Sequence, residues 1–470
     1  MATSISSTAV AQPNVIVFFS DQQRWDTLGV HGNPLELTPN LDRVAQRATH
    51  VDKAFTCQPL CGPARAALQT GLYPTTSGCF ANRKPLRGHR TLAHHFAAAG
   101  YDTGYIGKWH LAGQEPVSQE RRGGYDFWMG ANLLEFESSS YDTVLFDQEN
   151  RLVKLPGYRV DALTDQAINY VANHQERPFF LFVSHVEPHH QNHVGAFLAP
   201  DGYRERYTGR WMPPDLAALG GDAPQGLGGY YGSVKRLDEA YGRLLDALRS
   251  LRLDQRTIVA YTSDHGCHFN TRNAEYKRSC HDASIRVPLV LCGPGFEGGG
   301  RVRELASLVD LPPTLLEAAG IQVPIEMQGR SFMPLLQRRP VEWAEEVYVQ
   351  ISEDHIGRAI RTADWKYSVR AIDGDPAEDP DASRYVEDCL YDLEADPYEL
   401  TNLAGFRSHR EVANMLRERL FARMVSVGER CAHIEPAPEV ESWQRLVPNI
   451  NETLHRYRPR TASAVPPPKS

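Results

Sequence analysis

Short apolar runs alternate with longer segments of helical periodicity between residue 14 and about residue 330. Each run has the length of a strand, and this alternation is typical of an α/β protein with a mostly parallel sheet. The predicted strands are Asn14–Ser20, Thr103–Ile106, Pro178–Ser184, Thr257–Thr262 and Val287–Cys292. The predicted helices are Leu41–Ala48, Arg65–Gln69, Leu92–Ala99, Ala162–His174 and Gly229–Leu251. Residues 194–227 are rich in Gly, Pro and Asp, which predicts a long surface loop.

The pattern changes after residue 340, where short runs typical of a small antiparallel sheet appear. The predicted elements there are strands at Val347–Ile351, Arg358–Arg361, Trp365–Val369 and Cys389–Asp392, and a helix at Arg410–Val427. The sequence therefore predicts a large α/β domain over residues 1–345 and a small α+β subdomain over residues 346–458. Residues 459–470 are rich in Pro and Ser and predict a disordered tail.

Composition excludes several classes of partner. The 470 residues are 41% hydrophobic and 23% charged, as in ordinary globular proteins. With 50 Lys plus Arg against 58 Asp plus Glu, the net charge is -8, so we expect no nucleic-acid partner. The longest apolar runs are too short to cross a membrane, and residues 1–15 lack the pattern of a secretory signal. We therefore expect a cytoplasmic protein without a membrane partner, whose 8 cysteines are reduced.

Polar side chains follow four of the predicted strands, directly where each strand ends. Because the carboxyl ends of parallel strands meet at the edge where ligands bind in open α/β sheets, we expect these side chains to lie together. They are Asp21, Gln22, Lys108, His110, His185, His189, Asp264 and His265. Singly, each has an ordinary structural explanation, such as a helix cap for Asp21. Their joint placement predicts a functional site.

The segment from Cys61 to Gly71 predicts a short helix that begins at a reactive position. Pro63 suits the first turn, and Gly71 can end the helix. Cys61 then lies at the amino end, where free backbone N–H groups favour an anion. Arg65, one turn later, can reach the same anion with its guanidinium. A lone cysteine is more often a small buried hydrophobic residue, but these neighbours favour a nucleophile.

These segments together resemble the type I, formylglycine-dependent sulfatase family of the alkaline phosphatase superfamily. Cys61-x-Pro63-x-Arg65, followed by Thr70-Gly71, resembles the signature whose cysteine is oxidised to formylglycine (3-oxoalanine). The other matching motifs are Asp21-Gln22, Gly107-Lys108-Trp109-His110, Ser263-Asp264-His265-Gly266, Lys277 and Leu390-Tyr391-Asp392-Leu393-Glu394. The resemblance implies an alkaline-phosphatase-like α/β/α sandwich with a mostly parallel central sheet, plus a small C-terminal α+β domain with an antiparallel sheet.

The resemblance also implies an activity and its parts. The implied reaction hydrolyses a sulfate monoester, on a sulfated carbohydrate or a small aryl or alkyl sulfate, to alcohol and inorganic sulfate. One divalent cation, calcium with magnesium or manganese as alternatives, would have as ligands Asp21, Gln22, Cys61, Asp264 and His265. The implied catalytic residues are Cys61, Arg65, Lys108, His110, His189 and Lys277. A formylglycine-generating maturation enzyme is the implied protein partner.

Within that set, the resemblance implies separate roles. Arg65, Lys108 and Lys277 would stabilise the sulfate oxygens by charge. His189 or Lys277 would protonate the leaving alcohol, and His110 would remove the proton whose loss releases sulfate.

Some residues depart from the family pattern, and they keep alternatives open. Ala64 stands where Ser is commonest, and Gln22 and His265 replace the Asp and Asn of many members. The alternatives are a phosphonate monoester or phosphodiester hydrolase on the same site, and a non-catalytic anion-binding relative. A metal-dependent phosphosugar mutase would lack the signature that begins at Cys61. Candidate readers of the leaving group are His31, Arg83, His193, Arg272 and Arg358. The oligomeric state stays open.

Overall fold

The computed structural model describes residues 12–440, which form two β-sheets of unequal size. The strands are β1 (Asn14–Ser20), β2 (Thr49–Phe55), β3 (Asp102–Lys108), β4 (Phe127–Ala131), β5 (Thr143–Phe146), β6 (Leu152–Leu155), β7 (Phe179–Ser184), β8 (Thr257–Ser263), β9 (Arg286–Val287), β10 (Leu289–Cys292), β11 (Arg301–Ser307), β12 (Glu346–Ile351), β13 (Gly357–Thr362), β14 (Trp365–Ala371), β15 (Arg384–Asp392) and β16 (His433–Glu435). The predicted disordered tail, residues 459–470, lies outside the described residues.

The α-helices connect and flank these strands. They are α1 (Pro39–Arg47), α2 (Cys61–Thr70), α3 (Pro74–Ser77), α4 (Leu92–Ala98), α5 (Leu134–Glu137), α6 (Arg159–Asn173), α7 (Tyr203–Tyr207), α8 (Pro214–Leu219), α9 (Ala223–Ser250), α10 (Asp282–Ile285), α11 (Leu311–Ala318), α12 (Met333–Leu336) and α13 (Arg410–Ser426).

The large sheet is parallel at its centre. Its strand order is β11-β2-β10-β8-β1-β7-β3-β4-β5-β6, with β9 paired to β2. Strand β1 pairs in parallel with both β7 and β8, and β3 pairs in parallel with β7 and β4. All seven residues of β1 are buried, which is typical of a parallel strand covered on both faces.

Helices cover both faces of this sheet. Alternate residues of β1 point to opposite sides: Ile16 and Phe18 pack in the core that contains α6 and α9. Val17 and Phe19 pack in the other core, with residues of α2, α4 and α11. The predicted α/β/α sandwich is thus confirmed.

The small sheet has the order β12-β13-β14-β15-β16 and is antiparallel except for the pairing of β15 with β16. Helix α13 packs against it through Leu416 and Leu420. A further apolar cluster joins the two sheets, because Phe55 and Leu305 of the large sheet pack with Val349 of the small one. The predicted antiparallel sheet is confirmed, and it begins at Glu346. The division of the chain into domains at residues 345 and 346 stays a prediction.

Two predictions of local structure were wrong. The predicted strand Val287–Cys292 is split at Pro288, which has no N–H to donate to a ladder. The predicted loop over residues 194–227 contains α7, α8 and the start of α9. Of its glycines, Gly226 lies inside α9 and packs closely, since a Cβ there would lie 3.0 Å from Cε2 of the Phe197 ring.

All eight cysteines are unpaired in the structure, and their reduced state stays a prediction. Within residues 12–440, no helix combines the length and apolar character that a membrane span requires.

Candidate active site

Of the polar residues predicted to meet, all but His185 lie together at the carboxyl ends of the central strands. Asp21 and Gln22 follow β1, and Asp264 and His265 follow β8; the backbone N–H of Gln22 donates to Asp264 Oδ1 at 3.0 Å. Lys108 ends β3, beside the end of β7. That close approach needs a glycine before it, since a Cβ on Gly107 would lie 2.0 Å from the carbonyl oxygen of Ser184.

Cys61 is the first residue of α2, which ends at Gly71 with a φ of 70°. The helix is buried along its whole length and directs the Cys61 thiol to the ends of β1 and β8. The Sγ atom lies 3.7 Å from Asp21 Oδ1 and 3.3 Å from His265 Nε2. Burial alone would raise the pKa of the thiol, but the charges of Lys108 and Lys277 outweigh it and hold the pKa well below its usual range.

Four possible metal ligands converge at this point. Side-chain atoms of Asp21, Cys61, Asp264 and His265 lie within 4.8 Å of one another, and all four residues are buried. His265 Nδ1 lies 2.9 Å from the carbonyl oxygen of Gly266, so Nδ1 donates and Nε2 keeps its lone pair for a ligand. Asp264 Oδ2 is buried and accepts no hydrogen bond. These features fit a divalent cation.

Gln22 lies beside this group and lines the same cavity, in a left-handed backbone conformation with φ 68°. Its Oε1 accepts a hydrogen bond from the backbone N–H of His190 at 2.9 Å. One lone pair of Oε1 is therefore engaged, and a carbonyl oxygen keeps a second one.

Two buried cations hold the carboxylates. Arg65 Nη2 donates to Asp21 Oδ2 at 2.9 Å and lies 3.2 Å from Asp264 Oδ2. Lys108 Nζ donates to Asp21 Oδ2 and to Glu135 Oε1, both at 2.7 Å. These contacts position the carboxylates; that Arg65 and Lys108 also bind sulfate oxygens stays a prediction.

The pKa values of the two carboxyl groups shift in opposite directions. Burial and Cys61 raise the pKa of Asp21, but Lys108, His189 and Arg65 outweigh them and hold it well below the usual range. Burial and the neighbouring Asp21 raise the pKa of Asp264. The site thus carries one firmly ionised carboxylate and one whose charge is disfavoured without a further cation.

Lys277 and His189 approach Cys61 from the other side. Lys277 Nζ lies 2.8 Å from Cys61 Sγ and 3.1 Å from His189 Nε2. His189 Nδ1 lies 2.5 Å from the carbonyl oxygen of His190, so Nδ1 donates and Nε2 faces the lysine. His110 has a φ of 57° and contacts the same cavity, and its Nδ1 is buried without a partner.

These groups lie at a cavity of about 410 Å³. Sequence reasoning missed several residues of its wall: Asn82, Asn132, Glu135, Phe136, His190, Asn192, Glu275, Tyr276 and Arg278. Glu135 is the most consequential of them, because its buried carboxylate pairs with Lys108. No local motif distinguishes it, since it lies on the short helix α5, far in sequence from Lys108.

The candidate readers of the leaving group have separate positions. Arg83 alone among them lines the cavity. Arg272 donates to the carbonyl oxygens of Glu399 and Tyr398, and Arg358 forms a buried ion pair with Glu429.

The Nε2 atoms of His31 and His50 lie 3.2 Å apart, and neither residue lines the cavity.

Of the other histidines, His193 lies at the surface, with its ring centroid 6.5 Å from that of Phe136. His185 packs on Phe18 at a centroid distance of 4.5 Å. Burial, with a smaller contribution from Arg159, lowers the pKa of His185 to about 3, so this histidine is a neutral packing residue.

Comparisons with known proteins agree with this arrangement. The family model described as Sulfatase matches residues 13–321, and the one described as N-sulphoglucosamine sulphohydrolase, C-terminal, matches residues 274–426. An ulvan-active sulfatase of Formosa agariphila is 31% identical over 439 residues, which cover 89% of this chain and 82% of that protein. An N-acetylglucosamine-6-O-sulfatase of Bacteroides thetaiotaomicron is 26% identical over 516 residues, covering 89% of each.

Solved structures agree as well. A Bacteroides fragilis protein assigned as the sulfatase YidJ superposes with a TM-score of 0.77 at 25% identity, over 89% of this chain and 97% of that one. A protein solved with its substrate D-glucosamine-2-N,6-O-disulfate gives 0.73 at 25% identity, over 88% and 98%. The phosphonate monoester hydrolase of Agrobacterium radiobacter shares the fold, with a TM-score of 0.64 at 22% identity, over 88% and 96%. This chain belongs to the sulfatase family, and it is a sulfuric ester hydrolase that acts on sulfate monoesters.

Proposed function

We propose that this enzyme removes sulfate from a sulfated saccharide, with residue 61 as the nucleophile after conversion of Cys61 to formylglycine. Sulfatases generally use a formylglycine and a divalent metal. The observation that carries the proposal is the convergence of Cys61, the pair Lys277 and His189, and the metal-ligand group on one cavity. A converted residue 61 supplies a hydrated aldehyde, whose hydroxyl is a stronger nucleophile beside a cation.

The proposed cation is Ca²⁺, with Mg²⁺ or Mn²⁺ as alternatives. Asp21, Gln22 and Asp264 offer oxygen atoms, which suit a hard cation. His265 offers Nε2, and residue 61 completes the set. A positive charge here would also offset the burial and the repulsion from Asp21 that together raise the pKa of Asp264.

Lys277 and His189 are proposed to handle the proton of the leaving group. At 3.1 Å, Lys277 Nζ and His189 Nε2 share one hydrogen bond, so either can present a proton toward the cavity. The position of Lys277 Nζ, 2.8 Å from Cys61 Sγ, also suits a charge that stabilises sulfate oxygens next to the nucleophile. His110, which lines the same cavity, is proposed to accept the proton whose loss releases sulfate.

The saccharide assignment is supported by the cavity and by the relatives. Most wall residues that sequence reasoning missed are polar, as hydroxyl-rich ligands require, and Phe136 adds an exposed apolar surface at the rim. Two relatives are named for saccharide chemistry: an ulvan-active sulfatase and an N-acetylglucosamine-6-O-sulfatase. We infer that this chain acts on the same chemical class.

The test combines mass spectrometry with a substrate panel. Protein made together with a formylglycine-generating enzyme is digested, and the peptide that contains residue 61 is weighed; we expect an aldehyde in place of the thiol. The panel contains O-sulfated hexosamines and uronic acids, an aryl sulfate and an aryl phosphonate. We expect fastest sulfate release from a sulfated sugar, and none after replacement of Cys61 by Ala. The control is Cys292→Ala, a half-buried cysteine outside the cavity. Faster turnover of the phosphonate would contradict the proposal.

A further inference from the structure

Two thiols and an imidazole meet near the contact between the large and small sheets, away from the cavity. Cys280 and His281 lie between β8 and α10, and Cys389 lies on β15. Their candidate ligand atoms lie within 4.8 Å of one another, and all three residues are buried. Cys280 and Cys389 belong to the apolar cluster that joins the two sheets. None of the three lines the cavity that holds Cys61.

The His281 ring is held in a way that suits a ligand. Its Nε2 lies 3.0 Å from the hydroxyl oxygen of Tyr391, while its Nδ1 is buried and has no hydrogen-bond partner. A hydrogen bond to one ring nitrogen is the common device that orients a metal-binding imidazole. A buried ring nitrogen without a partner destabilises the protein unless something binds it. The group thus combines two free thiols with an imidazole that is oriented by Tyr391 and has one buried nitrogen without a partner.

We propose that Cys280, His281 and Cys389 bind one thiophilic metal ion such as Zn²⁺. This site is separate from that of the proposed calcium ion. Two sulfur atoms and one imidazole nitrogen select zinc or a similar soft ion over calcium. In a tetrahedral zinc site the ligand atoms are roughly 3.5–4 Å apart, so small side-chain shifts bring this group to that geometry.

The surroundings can carry the charge of such a site. The nearby Lys366 is already paired, since its Nζ lies 2.6 Å from Asp282 Oδ1 and also contacts Glu399. A divalent cation with two thiolates is neutral, so it adds no net charge to this buried region.

The site would fasten the segment that carries Lys277 to the small sheet. Cys280 is three residues after Lys277, and Cys389 lies in the middle of β15. Metal binding to these residues therefore ties one wall of the active site to a strand of the second sheet. Its expected effect is on stability and on the position of the wall, since none of its ligands contacts the cavity.

The experiment is a cobalt titration of the full chain under reducing conditions. Co²⁺ replaces zinc and gives a sulfur-to-cobalt charge-transfer absorption that oxygen and nitrogen ligands do not give. All proteins carry Cys61→Ala, which removes the only sulfur of the first site. The test variants are Cys280→Ser and Cys389→Ser, and the matched control is Cys431→Ser, which removes an exposed thiol.

We expect one equivalent of cobalt with the sulfur band, bleached by Zn²⁺. The band should fall to about half or less in either test variant, since one of two thiolates is lost, and stay unchanged in the control. Absence of the band in the reduced parent, or an undiminished band in Cys389→Ser, overturns the proposal. Should the serine variants fail to fold, anomalous diffraction at the zinc edge of zinc-soaked parent crystals decides: a peak between Cys280 and Cys389 supports the site, and its absence overturns it.

Discussion

Two groups of buried charges in this protein look alike in composition and differ in what they adjoin. The first, the nucleophile cluster, consists of Asp21, Arg65, Lys108 and Asp264. The second, the seam cluster, consists of Asp282, Arg361, Lys366 and Glu399. Both place two carboxylates and two cations out of contact with solvent. Ion pairs of this kind are costly to bury, and neither their burial nor their charge distinguishes a reaction site from a structural one.

The two clusters differ in whether they adjoin the active-site cavity. In the seam cluster, Lys366 contacts both carboxylates and Arg361 lies 3.4 Å from Asp282 Oδ2; no member lines the active-site cavity. In the nucleophile cluster, the neighbouring Cys61 borders the cavity, whereas a buried carboxylate oxygen without a hydrogen bond occurs in both clusters, at Asp264 Oδ2 and Glu399 Oε1. Buried charges beside both a reactive group and a cavity are what identify the active site.

The largest expected effect is a loss in the rate of sulfate release when Cys61, beside the nucleophile cluster, is replaced. Cys61→Ala should lower sulfate release by at least about 10⁴-fold, because the bond-forming atom is lost. Alanine lacks only one heavy atom of the side chain, the aldehyde oxygen of converted residue 61 or the sulfur of an unconverted one, so the urea midpoint should change little compared with that loss. Initial rates on the best sulfated sugar and urea unfolding measure the two quantities. A rate within about tenfold of the parent would show that residue 61 is not the nucleophile.

The seam cluster should show the opposite behaviour. Lys366→Ala leaves the carboxylates of Asp282 and Glu399 buried without their main counter-charge, so we expect a loss of about 3–5 kcal/mol in the free energy of unfolding. The rate per folded molecule should stay close to the parent's, since Lys366 does not line the cavity. The matched control is Lys84→Ala, which breaks the more exposed pair with Glu378 and should cost under about 1 kcal/mol. Equal losses in the two variants would contradict a structural role for the seam cluster.

One of the two clusters could be predicted from the sequence and the other could not. The nucleophile cluster was predictable because its members follow strands that were readable as apolar runs, and the carboxyl ends of such strands meet. Lys277 was predictable by resemblance alone, since a polar loop gives no periodicity. The seam cluster was not predictable, because Lys366 lies on β14 and Asp282 begins helix α10, and no local pattern links them.

The same reasoning explains the errors in the fold. The α/β class and the central strands followed from hydrophobic period, to within one or two residues at the ends. The first residues of α9, up to Leu227, were assigned to a loop, because composition cannot show that Gly226 packs against the ring of Phe197. Glu135 was missed for a related reason: its partner Lys108 is found only through tertiary structure.

A smaller effect is expected in the pH dependence of the free energy of unfolding, through Asp282 of the seam cluster. Burial raises the pKa of Asp282, but Lys366 and Arg361 outweigh it and hold the pKa well below the usual range. A carboxyl whose pKa is lower in the folded state stabilises the fold above its unfolded pKa, and this contribution disappears as the pH falls toward the folded pKa. Metal-free protein should therefore lose stability below about pH 4, by up to about 1.4 kcal/mol per pH unit for this one proton.

The matched variant is Asp282→Asn, followed by urea unfolding between pH 5 and 3. It should be less stable than the parent at pH 5 and should lose less on acidification, since residue 282 no longer takes up a proton. Parallel stability curves for parent and variant would show that Asp282 does not have the lowered pKa.

The smallest expected effect is a change in KM when Arg83, at the wall of the active-site cavity, is replaced. Arg83 is exposed and lines the cavity, so a negatively charged group of a longer saccharide can reach its guanidinium. Arg83→Ala should raise KM for a sulfated disaccharide by about 2–5-fold, the scale of one exposed charge contact, with kcat unchanged. KM for a small aryl sulfate, which cannot extend to the rim, should not change. The control is Arg87→Ala, four residues away, exposed and outside the cavity. If both arginine variants raise KM alike, the effect comes from the general electrostatic field of the surface. If neither does, another residue of the cavity wall contacts the leaving group. Arg278, which pairs with Glu353 at 2.7 Å, is then the next residue to replace.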